Sequence, residues 1–454
     1  MNAIHDTIVA LSTPSGVGAI AVIRLSGKEA ITIANDLFEG KDLTQAATHT
    51  LHFGSIKQGE EVLDEVVASI FKGPRSYTKE NVVELSCHAS PYIIEQLLQL
   101  TITKGARMAM PGEFTQRAFL NGRFDLAQAE AVADLIAAEN KAAHGNAIRQ
   151  MRGGFSGEIK EFREKLIHFA SMIELELDFS EEDVEFASRD ELRTLVNQLM
   201  VPINGLIRSF ELGNVIKNGI PIVIAGKPNA GKSTLLNALL NEERAIVSNI
   251  AGTTRDVIED VMNIDGITFR FIDTAGLRDT DDEIEAIGVS RTKEQMQKAS
   301  VILYLIDLER ADLEETQQEI AGLKSEDTPY LLIGNKADIA SEDIKNEVAN
   351  NDGLLISAKK KTDLEGLNQQ LMKVVDLEGL NAEATFVTNS RHVSVLKSTN
   401  EALQRVINGI NSQITNDFLA MDIRQALHHL GEITGEITTD DLLDNIFSKF
   451  CIGK

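Results

Sequence analysis

Between residues 190 and 211, Leu192, Leu195, Val196, Leu199, Ile203, Leu206, Ile207 and Phe210 recur at spacings of three and four, the period of one apolar helix face. Pro202 interrupts that stripe and is expected to kink the helix. The same period returns after about residue 380, through Leu403, Val406, Ile407 and Ile410, then Leu419, Ile423, Ala426, Leu427 and Leu430. Residues 7–120 read differently. Short apolar runs at 19–25, 66–71 and 81–85 alternate with a helical pattern over 92–103, which predicts an α+β domain. From 218 to 379 strand runs and helical segments alternate, the mark of a parallel α/β sheet. The pattern therefore predicts a multidomain chain: an α+β N-terminal domain over 1–121, and an α-helical central domain formed by 122–217 and 380–454. An α/β domain over 218–379 is inserted into the helical one.

A chain of 454 residues is long enough for several cores, and 43% hydrophobic and 25% charged residues are ordinary for a globular protein. No apolar run approaches the roughly 18 residues of a membrane span. Met1 leads directly toward the strand-like segment 7–10, without the basic and apolar regions of an export signal. The cysteines, Cys87 and Cys451, stand in no metal-binding or multi-bridge pattern. A cytoplasmic location is expected. The net charge of −25 opposes non-specific binding to polyanions, so any nucleic-acid role must use local patches. Arg149, Arg152, Lys160, Arg163 and Lys165 form one such cluster, but Glu158, Glu161 and Glu164 interleave them, which favours a solvated mixed-charge face.

The α/β segment carries the chemistry. Gly226 to Ser233 fits GxxxxGK[ST] between an apolar run at 220–225 and a helical run at 234–240. Such a loop turns backbone N–H groups of Asn229, Ala230, Gly231, Lys232, Ser233 and Thr234 toward phosphates, aided by the helix N-terminus. Lys232 would reach the β- and γ-phosphates, and the Ser233 hydroxyl would ligate Mg2+. Asp273, Thr274, Ala275 and Gly276 follow the strand run 267–272, placing a carboxylate near the metal and a glycine N–H near the γ-phosphate. Asn335, Lys336, Ala337 and Asp338 follow the run 330–333. The Asp338 carboxylate can accept from N1–H and the 2-amino group of guanine, a pair of donors adenine lacks. Ser357, Ala358 and Lys359 would close over the base. Four motifs in order, each at a strand end, predict a site for GTP and GDP.

Between them, Ser248, Asn249, Ile250, Ala251, Gly252, Thr253 and Thr254 read as a switch loop, with Thr254 able to contact Mg2+ and the γ-phosphate. Residues 257–261 and 267–272 read as an edge hairpin about Asp265 and Gly266. Leu277 follows Gly276 where small signalling GTPases carry the glutamine that orients water, so another group must orient it. The acidic run Asp281, Asp282, Glu283 and Glu285 offers candidates, although such a run by itself is more often a solvated loop.

Asn229 in the phosphate loop, Gly252 to Asp256, Asp273 to Arg278 and the tail Cys451-Ile-Gly-Lys454 together resemble the tRNA modification GTPase MnmE (TrmE) family. Segments outside the nucleotide domain extend the likeness along the chain: 6–10, 18–24, 111–115, 117–122 and 125–130. The resemblance implies a homodimer that hydrolyses GTP and works with an FAD-dependent partner on certain tRNAs. The product would be an aminomethyl or carboxymethylaminomethyl group on C5 of the wobble uridine, its one-carbon unit drawn from a 5-formyl-tetrahydrofolate-type cofactor. It implies folate contacts at Arg24, Glu84, Arg123 and Lys454, the third being lysine in many relatives. It implies K+ held by Asn229, Ser248, Ile250 and Thr253, water positioned by Glu285, and catalytic standing for Lys232 and Asn229. Cys451 would lie near the modification chemistry, where a thiol could assist; a merely packed cysteine is an equal alternative. On the nucleotide motifs alone, a ribosome-assembly or signalling switch and a folate enzyme with a regulatory GTPase stay open. The rest of the chain matches the tRNA-modifying class and carries no KH or RRM signature.

Overall fold

The computed structural model describes residues 6–178, 188–242, 260–264, 267–272, 296, 299–324, 328–374 and 386–454. Its contacts divide the chain into two compact units, one of residues 1–136, 147–203 and 394–454, the other of 137–146 and 204–393.

The first unit holds seven strands: β1 (Ile8–Leu11), β2 (Ala21–Ser26), β3 (Phe38–Glu39), β4 (Thr50–Gln58), β5 (Glu61–Phe71), β6 (Val82–Cys87) and β7 (Arg107–Met108). They pair in the order β3-β4-β5-β6-β2-β1-β7, antiparallel except for β1 with β7. Period-two alternation sorts β2 and β6 by face. Ile23, Leu25, Val83 and Leu85 are fully buried in one cluster with Ile33 and Leu37 of the helix Ala30–Leu37 and Ile94 and Leu97 of the helix Pro91–Thr103. Arg24 and Glu84, directly opposite each other in the register, alternate with those residues and so stand on the other face. Helix 92–103 of the sequence reading is present, extended by the proline at its start, whose missing N–H costs nothing there. The helix Ala30–Leu37 and strand β4 have no counterpart in that reading, because β4 alternates glycine, serine and histidine with its apolar residues.

Also in this unit, the helices Gly154–Asp178 and Asn416–Thr434 pack together, with Arg424 Nε 3.0 Å from Glu174. Leu419, Ile423, Ala426 and Leu430 of the expected stripe are buried. The helix Asp440–Phe447 sets Leu443, Ile446 and Phe447 against Leu126 and Ala129. The helix Arg189–Asn218, whose residues up to 203 belong to this unit, runs on through Pro202, and Leu192, Val196, Leu199 and Ile203 are buried along that part.

The second unit holds β8 (Ile220–Gly226), β9 (Asp260–Ile264), β10 (Ile267–Phe271), β11 (Val301–Asp307), β12 (Tyr330–Asn335) and β13 (Leu354–Leu355), in the order β13-β12-β11-β8-β10-β9. All neighbours are parallel except β9 with β10, the expected edge hairpin; its turn lies outside the described residues. Both faces of such a sheet are covered, which is why β8, β11 and β12 are nearly continuous apolar runs. Sequence-adjacent β10 and β11 lie on opposite sides of β8, so the strand order switches beside β8. Ligands of open α/β sheets bind at such a switch, past the carboxyl ends of the strands. Among the described residues no helix is long and apolar enough to cross a membrane.

Candidate functional site

The loop after β8 wraps as its motif requires. Gly226 has φ +140°, and a Cβ there would meet the Leu305 carbonyl oxygen at 2.3 Å; Gly231 has φ +97°, with Asn335 Nδ2 at 2.2 Å from any added Cβ. Only glycine fits either position. Asn229, a residue type that tolerates this region, takes φ +62° and is exposed. The helix Lys232–Glu242 begins as the loop ends, so the positive end of its dipole lies at the loop. The Lys232 ammonium donates to the carbonyls of Gly226 (2.9 Å) and Lys227 (2.8 Å), and burial pushes it below the ordinary lysine value. A partly desolvated cation ringed by backbone dipoles is suited to exchange those carbonyls for phosphate oxygens.

At the end of β12, Asn335 joins three loops. Its carboxamide donates to the Ala230 carbonyl at 2.8 Å and accepts from the N–H groups of Lys336 (2.9 Å) and Ala358 (3.0 Å). The Ala337 N–H donates to Ile356, and Ser357 bridges Thr362. Asp338 is held below its ordinary value, first by the Lys360 ammonium at 2.9 Å and then by the Ser357 hydroxyl, which favours the ionised, accepting form. Lys359 is exposed beside it. The structure thus brings together the phosphate loop, Asn335 to Asp338 and Ser357 to Lys359, as the four-motif reading requires. Ser248 to Thr254, Asp273 to Gly276 and Glu285 lie outside the described residues, so the switch-loop, K+ and water-positioning assignments have no described geometry beyond Asn229 and Ser233.

Charged groups outside the four motifs' functional positions also meet at this loop. Lys227 pairs with Glu315 and Glu319 of the helix Leu313–Leu323, and the Tyr304 hydroxyl donates to Glu319 at 3.1 Å. Burial first, and then Glu319, raise the Tyr304 hydroxyl above its ordinary value. The i, i+4 spacing of Glu315 and Glu319 marks one helix face, but nothing in the sequence says which lysine meets it.

In the first unit the Arg24 guanidinium donates from Nε to Glu84 at 2.9 Å and from Nη1 to the Gly453 carbonyl at 3.1 Å. The tail is fixed there by backbone contacts. Ser12 Oγ donates to the same carbonyl at 3.3 Å, the Gly112 N–H donates to the Cys451 carbonyl at 3.3 Å, and Gly453 sits at φ +92° with no room for a Cβ against Leu11. Arg24 lies 5.7 Å from the centre of the Tyr77 ring, and Arg123 lies 4.9 Å from the rings of both Tyr77 and Phe124. Arg24, Glu84, Arg123 and the tail that carries Lys454 therefore converge. Tyr77, which no motif announced, stands between the two arginines, its hydroxyl 2.9 Å from Thr115. The Cys451 thiol is exposed.

Comparison with known proteins points to one family. The model of the GTP-binding protein TrmE N-terminus matches residues 7–123, and that of the MnmE helical domain matches 126–451. The tRNA modification GTPase MnmE of Cytophaga hutchinsonii is 59% identical over 450 residues, covering 99% of this chain and 98% of that protein. Those of Christiangramia forsetii and Flavobacterium psychrophilum are each 54% identical, over 472 and 461 residues, covering 99% of this chain and 100% and 99% of theirs. Among solved structures, the G domain of T. maritima FeoB aligns at 20% identity with 35% of this chain and 99% of its own, at a TM-score of 0.26, too slight a likeness to add anything. With two family models that together span most of its length and near-full-length relatives above half identity, the chain belongs to the tRNA modification GTPase MnmE family.

Proposed function

We propose that this chain is a GTP hydrolase that acts in tRNA modification. It works as a homodimer with an FAD-dependent partner to install an aminomethyl or carboxymethylaminomethyl group at C5 of wobble uridine. The observation that carries this reading is the convergence of Arg24, Glu84 and the tail at Gly453 in a chain that also holds a phosphate loop with its base-reading motifs and is matched along its length by MnmE relatives. The domain division that goes with it is 1–121, 122–217 with 380–454, and an inserted 218–379.

The first-unit residues fit a folate. Two guanidinium groups beside Tyr77 suit its carboxylates and aromatic rings, and a Glu84 oxygen suits the N–H edge of a pterin. When bound, the folate supplies the one-carbon unit; Arg24, Glu84, Arg123 and Lys454 bind and orient it, and Cys451 stands near the chemistry. In the nucleotide site, Ser233 and Thr254 would hold Mg2+, and Asn229 with Ser248, Ile250 and Thr253 would hold K+; the cations would supply positive charge to offset that developing on the phosphates. Asn229 fits this role because its left-handed backbone leaves the side chain exposed on the phosphate loop. Lys232 binds the β- and γ-phosphates, Asp273 to Gly276 flank the metal and γ-phosphate, Asp338 reads guanine, and Glu285 orients water in place of the glutamine that Leu277 replaces.

Nucleoside analysis of tRNA from cells lacking the protein tests the reading. Loss of the C5-modified wobble uridine is expected, and an unchanged profile would overturn it in favour of a switch role. Faster GTP cleavage in K+ than in Na+, with the difference abolished in Asn229→Ala, is the companion expectation for the cation.

A further inference from the structure

Lys336 is a strained residue in the base-reading loop. Its φ is +63°, a left-handed conformation that costs a lysine roughly 1 kcal/mol and persists only where neighbours over-determine it. One restraint is local: its N–H is tied to the Asn335 carboxamide at 2.9 Å. The other comes from the neighbouring strand. The Lys336 ammonium donates to Asp307 Oδ2 at 2.7 Å and to Glu309 Oε2 at 2.9 Å, with Asp307 at the last position of β11 and mostly buried. Asp307 is itself fixed, since Oδ1 accepts from the Glu309 N–H at 3.1 Å and its carbonyl accepts from Arg310 and Ala311. A carboxylate anchored in this way on a core strand is a rigid post, and Lys336 is moored to it.

We propose that Asp307 is a positioning residue for guanine recognition: through the Lys336 ammonium it holds the loop 335–338 so that Asp338 faces the base. It touches neither nucleotide nor metal, and it stands in none of the four nucleotide motifs. Glu309, on the same ammonium but about half exposed, is the weaker partner. The inference rests on the proposed role of Asp338.

A double-mutant cycle on the full chain tests it, with Kd for GDP and for inosine diphosphate, which lacks the 2-amino group. Asp307→Asn keeps an oxygen for the Glu309 N–H but removes the anion; Lys336→Met keeps the stem but removes the cation. Each single variant should weaken GDP binding on the order of tenfold, the scale of one charge-assisted hydrogen bond, and narrow the preference for GDP over inosine diphosphate. The double variant should be no worse than the weaker single one, because both remove the same contact. If the two losses multiply, or Asp307→Asn binds GDP as wild type does, the positioning role is wrong. Should Asp307→Asn fail to fold, Glu309→Gln serves: a loss of about two- to threefold that vanishes in the Lys336→Met background supports the mooring, and a loss that persists there overturns it. A wild-type protein with no preference for GDP over inosine diphosphate would instead overturn the reading of Asp338 itself.

Discussion

The two candidate sites are built in opposite ways. The nucleotide site stands on loops that leave the carboxyl ends of neighbouring parallel strands, and most of its fixed contacts run to backbone groups: Lys232 to two carbonyls, Asn335 to a carbonyl and two N–H groups. The first-unit site stands on a sheet face, where side chains pair with side chains and Arg24 reaches a carbonyl 429 residues away. In the same unit Arg117, 1% exposed, meets buried Glu113 as well as Asp6 and Glu80, while the more exposed Arg107 shares Glu113 and Asp6. A site made from contiguous backbone can be specified by a short motif. One made from ion pairs across a sheet depends on distant residues arriving together, and on each charge finding its partner.

The largest expected effect tests that dependence. Arg117→Met removes three ion pairs from one buried guanidinium, leaving Arg107 on Glu113 and Asp6 and Ser26 on Glu80; the buried pair with Glu113 dominates the cost, about 3 kcal/mol. Urea unfolding of the full chain followed by fluorescence-detected GDP binding should show a first transition moved to lower urea while GDP affinity holds. Equal loss in both measurements would mean the two sites do not differ in this way. Next, Asn335→Ala removes three hydrogen bonds, the two buried ones joining the loops, and GDP affinity should fall on the order of 100-fold with little change in binding of a reduced folate by calorimetry. Deleting residues 451–454 should do the converse, weakening folate roughly tenfold and sparing GDP; intact folate affinity would exclude the tail as a ligand.

Acid sharpens the contrast. The carboxyl of Asp6 is held low, chiefly by its hydrogen bond to Arg107. Burial pushes Glu113 up, but Arg107, the Met110 N–H and Arg117 outweigh it and leave Glu113 below its ordinary value of 4.5. Groups whose folded values are depressed add stability above their unfolded values and lose it as pH falls through the folded ones. Thermal unfolding should therefore worsen below pH 4.5, and Arg117→Met should flatten that dependence; a parallel decline in both proteins would assign it elsewhere. The smallest effect concerns the thiols. Burial, then Asp64, push Cys87 up to about 11, whereas Cys451 is exposed, so a thiol reagent at neutral pH should label one cysteine quickly. Two fast equivalents would show Cys87 to be accessible.

The same contrast decides what the sequence could show. Gly226, Gly231 and Asn335 to Asp338 were legible because strand, turn and helix follow within a few residues, and each glycine answers a local steric demand. Strands β2, β5 and β6 were legible from their apolar runs, and β4 was not, since its exposed Leu51 and Phe53 share the strand with small polar residues. Arg24, Glu84 and the tail were placed together only by family resemblance. No period or spacing encodes a contact between β2 and Gly453. Tyr77, Lys227 and Asp307 escaped notice for a related reason: an isolated tyrosine, lysine or aspartate gains meaning only from what the fold sets beside it.

The tail is gripped through its peptide groups, by Arg24 and Ser12 at the Gly453 carbonyl and by Gly112 at that of Cys451. Contacts of this kind are indifferent to spelling and sensitive to count. Ile452, more than half exposed, should accept many replacements, but one extra residue between Phe450 and Cys451 would slide the strand of peptide groups by about 3.5 Å. The slip would drive a side chain into the space against Leu11 that only Gly453 can enter, so the stretch that follows the last helix acts as a gauge of length.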